Sequence, residues 1–431
     1  MNSRLLSTAG VLWIACMSAW GGPVIPSAHA DEGLEGVRGR IAAGGAVKIV
    51  CFGDSITGVY YHTGSRRSWC DLVGTFLERH YPQARVEMIN AGVSGNTSAA
   101  GLKRIDRDVL QHRPDLVIVM FGMNDVRSVQ LPQFKENLRE IVRRVRDQNA
   151  EILLMTPNAI PPGDPNRPPE KVMQYAQQMR QLAQTLAVPV VDAYAAFAAI
   201  REDDPVAARN LMSDTIHPNF RGHRLFAEAV TQCIVREDLD FAPPPTLRPG
   251  LPRVLARLRR MEPVRVVAMP PYDAMVEAGI RRWFPQATVD VTSWEPDPAD
   301  LAATEQEAKR RGWTEIRSAP KETAPDLVIL AIPASSGGVT EDDFYRSYSW
   351  IINWSLPFGG QADEPQWDCV VLLKVPTTPA EKNAESRARD VIRGQDVPWL
   401  ERESDDTRKT DVIFSEWLGD QLTSLESRVR E

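Results

Sequence analysis

Ser55, Asp214 and His217 are residues whose types and spacing can do chemistry together. Ser55 closes the tripeptide Gly53-Asp54-Ser55, which ends the apolar run Val47-Lys48-Ile49-Val50-Cys51-Phe52. A serine there sits at the carboxyl end of a buried strand, where open α/β sheets place their chemistry. By itself it would also suit as the cap of the next helix. Asp214 and His217, three residues apart, supply what a serine hydroxyl lacks: a base to take its proton and a carboxylate to hold that base in one tautomer. Both fit on one turn, and Pro218 helps to stop the loop there. An Asp and His pair is also a metal-ligand pattern, but no third ligand cluster lies near in sequence.

Other polar positions fall at the ends of apolar runs. Asn124 follows the strand-like Leu116–Phe121, again at a carboxyl end, where an asparagine can donate to a ligand or cap a helix. Gly95, in Ser94-Gly95-Asn96, suits either a close backbone approach to a substrate or an ordinary turn. Asp54 and Asp125 read as turn-holding groups, and His223, at the start of a helix, as structural. The segment from Tyr60 to Arg67 follows the serine and is dense in aromatic and hydrogen-bonding groups. Tyr61, His62 and Arg66 are expected to line the acyl-acceptor side of the site, the alternative being a solvated loop.

The elements that must position these groups alternate between strand and helix. Val47–Phe52, Val86–Asn90, Pro114–Phe121, Glu151–Met155 and Val188–Asp192 read as strands; 69–80, 131–149, 170–186 and 221–235 read as helices. Such alternation builds a parallel sheet covered on both faces. The stretch from Ala242 to Pro252 carries a cluster of prolines that forbids regular structure, so a domain boundary belongs there.

Beyond that stretch the same landmarks return in order. Val264–Met269 echoes Val47–Phe52, and Phe284–Val289 repeats Tyr81–Val86. Pro325–Leu330 repeats Pro114–Val119, while Val370–Pro376 and Val397-Pro398 answer Ile152–Pro157 and Val188-Pro189. A duplicated fold accounts for this order. The second copy has Pro270-Pro271-Tyr272 in place of Gly53-Asp54-Ser55 and Ser335-Ser336 in place of Asn124-Asp125. All six histidines lie at or before His223, so the second half has no imidazole base and reads as catalytically silent, free to shape or cover the first site. Eight of the eleven tryptophans also lie beyond the boundary, and core filling is preferred for them over a sugar-binding platform.

The chain of 431 residues is long enough for two domains. In the first 30 residues Arg4 is the only charge, an apolar stretch runs to about Trp20, and Ala28-His29-Ala30 precedes Asp31-Glu32. This reads as a cleaved export leader, with a retained anchor or lipidation at Cys16 as rivals. Cleavage makes the product one charge more negative than the formal −7, which argues against nucleic acid and anionic membrane surfaces as partners. Cys51, Cys70, Cys233 and Cys369 show no metal-type spacing and read as buried thiols, with a Cys51–Cys70 disulfide as the alternative.

Four blocks, Gly53-Asp54-Ser55, Gly92-Val93-Ser94-Gly95-Asn96-Thr97, Gly122-Met123-Asn124-Asp125 and Asp214-Thr215-Ile216-His217-Pro218-Asn219, together resemble the SGNH (GDSL-type) hydrolase family over roughly residues 46–240. The resemblance implies a flavodoxin-like three-layer α/β/α sandwich with a parallel sheet. It also implies hydrolysis of carboxylic esters or thioesters by Ser55, His217 and Asp214, without cofactor or metal. Its oxyanion hole would comprise the backbone amides of Ser55 and Gly95 and the side-chain amide of Asn124. The expected layout is a leader at 1–30, a linker at 31–45, the catalytic domain at 46–240, a proline-rich linker with a short helix at 241–262 and a degenerate SGNH-like domain at 263–431. The expected activity is that of a periplasmic or extracellular esterase deacetylating carbohydrate. A lysophospholipase or thioesterase, and a non-enzymatic glycan-binding tandem, are the alternatives.

Overall fold

The computed structural model describes residues 27–28, 33–58, 60–237, 239–295, 300–316, 323–331, 339–357, 360–361, 364–373, 379–400 and 407–422. Apart from Ser27 and Ala28, the expected leader lies outside the described residues, as do Cys16 and the Ser335-Ser336 pair.

Six strands build the first sheet: β1 (Ser27–Ala28), β2 (Ala46–Gly53), β3 (Arg85–Gly92), β4 (Leu116–Met120), β5 (Glu151–Met155) and β6 (Val190–Val191). Their order is β1-β6-β5-β4-β2-β3, all pairs parallel except β1 with β6. β4 is buried at every position and β2 from Ile49 onward apart from its exposed start, as expected of central parallel strands covered on both faces. The helices Trp69–His80, Ser98–Asp108, Leu131–Arg146, Pro169–Thr185 and Phe220–Val235 supply the cover. Leu131–Arg146 and Pro169–Thr185 each carry a proline in the first turn, where the missing N–H costs nothing.

The 31–45 segment is not a plain linker. A helix spans Glu35–Ala42, burying Val37 and Ile41, and the Glu151 carboxylate accepts from the amides of Gly36 and Val37 at its N-terminus. That carboxylate does the work of the missing cap, since Leu34 at the N-cap position offers none.

The second half contains β7 (Val264–Ala268), β8 (Val289–Ser293), β9 (Leu327–Leu330), a small β10 (Gly360–Gln361) and β11 (Glu364–Pro365) ribbon, β12 (Asp368–Leu372) and β13 (Trp399–Leu400). Its five-stranded parallel sheet runs β13-β12-β9-β7-β8. Read against β6-β5-β4-β2-β3, this is the same strand order used again. Each sheet has its own hydrophobic cluster.

Between them, the proline-rich stretch is a strap tied to both halves, followed by the helix Pro252–Arg259. Arg79 donates to the carbonyls of Ala242 and Pro243, Arg67 to that of Pro245, and the Gly250 amide to Gln421 O. The cysteines Cys51, Cys70, Cys233 and Cys369 are all free and buried, so the Cys51–Cys70 disulfide does not form. No helix among the described residues is long and apolar enough to cross a membrane.

Candidate active site

β2 ends at Gly53, and the one-turn helix Ser55–Gly58 begins where the strand stops. Asp54 holds that turn: one carboxylate oxygen accepts from the Ile56 amide at 2.9 Å and the other from Asn124 Nδ2 at 3.2 Å. Ser55 is thereby presented at the carboxyl edge of the sheet with its hydroxyl directed away from the core. Asp214 folds its own loop back in a similar way. Asp214 Oδ1 accepts from the amides of Ile216 (2.8 Å) and His217 (2.6 Å), so the three-residue spacing closes into a turn that brings the imidazole over the carboxylate.

Three side chains then form an unbroken hydrogen-bonded line. His217 Nδ1 lies 2.8 Å from Asp214 Oδ2, and His217 Nε2 lies 2.8 Å from Ser55 Oγ. The carboxylate can only accept, which assigns the proton to Nδ1 and leaves the Nε2 lone pair facing the serine hydroxyl. Burial pushes the Asp214 carboxyl upward, but the electrostatic influence of the neighbouring His217 and His62 imidazoles and the hydrogen bonds from His217 outweigh it and hold Asp214 well below the usual carboxylate range. Asp54 goes the other way: burial dominates and pushes it up to about 6.

Asn124 joins the serine turn through Asp54, its Nδ2 on two long contacts of 3.2 Å, to Asp54 Oδ2 and to Asn96 O. Its orientation is set by a residue with no motif to reveal it. Arg167, in the proline-rich loop after β5, donates from Nη2 to Asn124 Oδ1 (3.0 Å) and from Nε to Met123 O (3.0 Å), so the amide nitrogen must face Asp54 and Asn96. Gly95 has φ +74°, and among the described residues nothing lies within 4 Å of where a Cβ would be. Its glycine is required by the backbone conformation, and the space beside it is open. Arg104 braces the floor, donating to the carbonyls of Gly53 and Ala91 and to Asn96 Oδ1, with its guanidinium over the Phe52 ring.

The profile of the GDSL-like lipase/acylhydrolase family matches residues 51–225, a stretch that runs from β2 past His217. An acetylxylan esterase from Geobacillus stearothermophilus is 30% identical over 206 residues, covering 43% of this chain and 93% of that protein. The chain belongs to the GDSL-like lipase/acylhydrolase family. It is a carboxylic ester hydrolase. Thioesterase 1/protease 1/lysophospholipase L1 of Escherichia coli (strain K12) is 35% identical over 114 residues, 26% of this chain and 52% of that protein. The crystal structure of a lipase/acylhydrolase from Enterococcus faecalis is 29% identical, covers 44% of this chain and 96% of its own, and superposes with a TM-score of 0.39.

In this GDSL-like hydrolase the segment after the serine divides. His62 is buried and stacks face to face on His217, ring centroids 4.0 Å apart and planes 14° apart. Tyr61 packs against His62 at 4.2 Å and against Trp354 at 6.5 Å. Arg66 turns away, to the Pro249 carbonyl of the strap and toward buried Asp368 of the second half, so it does not line the site. The solvated-loop alternative is excluded for His62 by its burial. His223 is structural: its Nδ1 accepts from the Trp69 amide at 3.1 Å, and burial, reinforced by the charge on His217, pushes it down to about 3. Asp125 likewise holds a loop, accepting from the Ser98 amide.

His62 also supplies the third potential metal ligand that the sequence spacing did not reveal, since donor atoms of His62, Asp214 and His217 lie within 4.8 Å of one another. Both nitrogens of His217 are already engaged, however, so a cation would have to break one of two 2.8 Å hydrogen bonds.

The tryptophans of the second half split too. Trp294 and Trp367 are core. Trp350 and Trp354 stack on each other at 4.7 Å, with Trp350 edge-on to His62 at 5.6 Å, so these two border the site instead of filling the core. Trp350 also helps to wall a mostly apolar cleft of about 480 Å³ beside Asp214, with Ile160, Phe197 and Met212 on one side and Tyr345 on the other.

Proposed function

We propose that Ser55 is the nucleophile, His217 the general base and acid, and Asp214 its orienting partner. Their substrate is an acylated carbohydrate from which the enzyme removes short acyl groups, acetyl foremost. The observation that carries this reading is the continuous 2.8 Å relay from Ser55 Oγ through His217 to Asp214. His217 Nε2 takes the hydroxyl proton as Ser55 Oγ attacks the ester carbonyl carbon. The developing oxyanion is met by the amides of Ser55 and Gly95 and by Asn124 Nδ2, and the same Nε2–H then protonates the leaving alcohol. Water, deprotonated by Nε2, cleaves the acyl-enzyme and releases the acid. Proton transfer of this kind contributes about 10²–10⁴ in rate, and each oxyanion donor about 10²–10³.

A carbohydrate alcohol is supported by the acetylxylan esterase relative and by the half-buried aromatic pair Trp350 and Trp354 at the edge of the site. Sugars are recognised by such amphipathic rings. The composition of the first 30 residues supports export, to a compartment where such polymers occur. We further read residues 263–431 as a degenerate copy of the 46–240 unit, supported by the shared strand order. A second reading, long-chain acyl hydrolysis as by a lysophospholipase or thioesterase, is favoured by the apolar walls of the cleft beside Asp214.

The test compares acetylated xylo-oligosaccharide, p-nitrophenyl acetate and p-nitrophenyl palmitate with the parent and Ser55→Ala. Acetyl preference lost in Ser55→Ala is the expected result. Preference for palmitate selects the second reading, and full activity in Ser55→Ala defeats the catalytic assignment.

A further inference from the structure

The second half of the chain lacks histidine, yet it reaches the imidazole pair of the first. Asn353, on the helix Glu341–Ser355, donates from Nδ2 to Ser213 Oγ at 2.7 Å and lies 3.4 Å from His62 Nδ1. Ser213 Oγ is itself 3.0 Å from that same Nδ1. On its other side Asn353 Oδ1 accepts from Gln395 Nε2 at 3.2 Å, which matches the orientation that turns Nδ2 toward Ser213 and His62. His62, Ser213 and Asn353 are each no more than 2% exposed.

Counting donors assigns the tautomer. Ser213 Oγ accepts from Asn353, so its own hydrogen is available for His62 Nδ1, and the Asn353 amide offers that nitrogen a second hydrogen. A nitrogen facing two donors holds the lone pair, which puts the proton of His62 on Nε2. Among the described residues Nε2 has no hydrogen-bond partner, and it sits 3.8 Å from Asp214 Oδ2, on the side of the carboxylate that bonds His217. The flat face of the same ring lies against His217.

We propose that His62 is a positioning residue, a neutral platform under His217 whose tautomer is set from the second half of the chain by Asn353 acting through Ser213. The inference rests on His217 being the base. A neutral aromatic face 4.0 Å away favours the imidazolium that His217 becomes during attack, whereas a protonated His62 would repel it. The groups that face His62 are Asp214, His217 and His223, and those that face His217 are Asp214, His62, His223 and Asp54. Burial, reinforced by His217 and opposed by Asp214, keeps His62 well below the usual imidazole range, in line with the neutral form.

The experiment is a double-mutant cycle read as kcat, KM and the pH profile of kcat/KM with p-nitrophenyl acetate. Asn353→Asp replaces a donor by a carboxylate and draws a proton onto His62. It is expected to lower kcat about tenfold with KM little changed, and to move the acidic limb of the profile to lower pH, because a charged His62 repels the proton that His217 takes up. In a His62→Phe background, which keeps a ring but removes the titrating group, Asn353→Asp should cost little more and move nothing. Losses that multiply, or a profile that is scaled without moving, overturn the inference. Should Asn353→Asp fail to fold, Ser213→Ala in the same two backgrounds must show the same dependence on His62. Ser55→Ala separates the two layers: if it stays active the triad reading fails, and if it is inactive while the cycle is additive only this inference fails.

Discussion

Arg67 and Asp396 are joined by a two-pronged ion pair, Nε to Oδ2 at 2.7 Å and Nη2 to Oδ1 at 2.8 Å, which fastens the segment that carries His62 to the second half of the chain. The guanidinium is buried and also lies over the Phe220 ring. Just before it, Gly64 has φ +91°, and a Cβ there would come within 2.6 Å of the Asp396 backbone, so the two segments meet at main-chain distance.

Removing one member of a buried ion pair leaves the other desolvated and uncompensated, at about 3–5 kcal/mol. Arg67→Met should therefore destabilise the protein by about 3 kcal/mol in urea unfolding, and the Arg67→Met/Asp396→Leu double variant by less. Equal or additive losses in the cycle would show that the pair does not act as one unit.

The contact between Arg167 and Asn124 makes a second prediction, resting on the proposed oxyanion role. Asn124→Ala should lower kcat by about 10²–10³. Arg167→Ala, which frees the amide to turn, should lower kcat in the same direction by a smaller factor. Because Arg167 acts through Asn124, the double variant should be no slower than Asn124→Ala alone. Stopped assays with p-nitrophenyl acetate suffice, and a double variant that multiplies the two losses would refute the link.

What could be read in advance follows from how local each signal is. Ser55, Asn124, Asp214 and His217 lie at strand ends or in a single turn, so short blocks of sequence reveal them, and the buried apolar runs of β2 and β4 reveal the sheet. The helix Glu35–Ala42 escaped because its cap is the carboxylate of Glu151, more than a hundred positions away. Arg167, Arg104 and Asn353 escaped for the same reason: each acts across the fold, and nothing in its neighbours marks it. His62 was expected near the acceptor and stands instead beneath His217, a difference made by the short helical turn Tyr60–Thr63 that tucks it inward. Trp350 and Trp354 look like core residues in sequence, since an aromatic pair on one helix face has the same spacing whether it fills a core or borders a cleft.

Burial of His223 gives a pH dependence of stability with a definite sign. Its folded value of about 3 lies below the unfolded 6.5, so the unfolded chain binds a proton that the folded chain refuses. Stability is then fully present above pH 6.5 and is lost as pH falls toward 3, at about 1.4 kcal/mol per unit for one proton. Between pH 6.5 and 5 this group alone should cost about 2 kcal/mol. His223→Gln retains an acceptor for the Trp69 amide and cannot titrate, so its unfolding free energy should fall less steeply over that interval. Parallel slopes for parent and variant would contradict the assignment.

Gly95 offers a test that separates stability from catalysis. An alanine there meets no atom within 4 Å among the described residues, so the folded state is charged only for the left-handed backbone, about 1–2 kcal/mol. The new methyl, however, stands in the open space beside the amide proposed to receive the oxyanion, where a misplacement of about 1 Å costs about 10² in rate. Gly95→Ala should thus remain folded at assay temperature while kcat/KM for p-nitrophenyl acetate falls about a hundredfold, with labelling of Ser55 by a small fluorophosphonate slowed in step. If the variant melts lower by the expected margin yet hydrolyses at the parent rate, the Gly95 amide is not a donor, and oxyanion binding falls to Ser55 N and Asn124 alone.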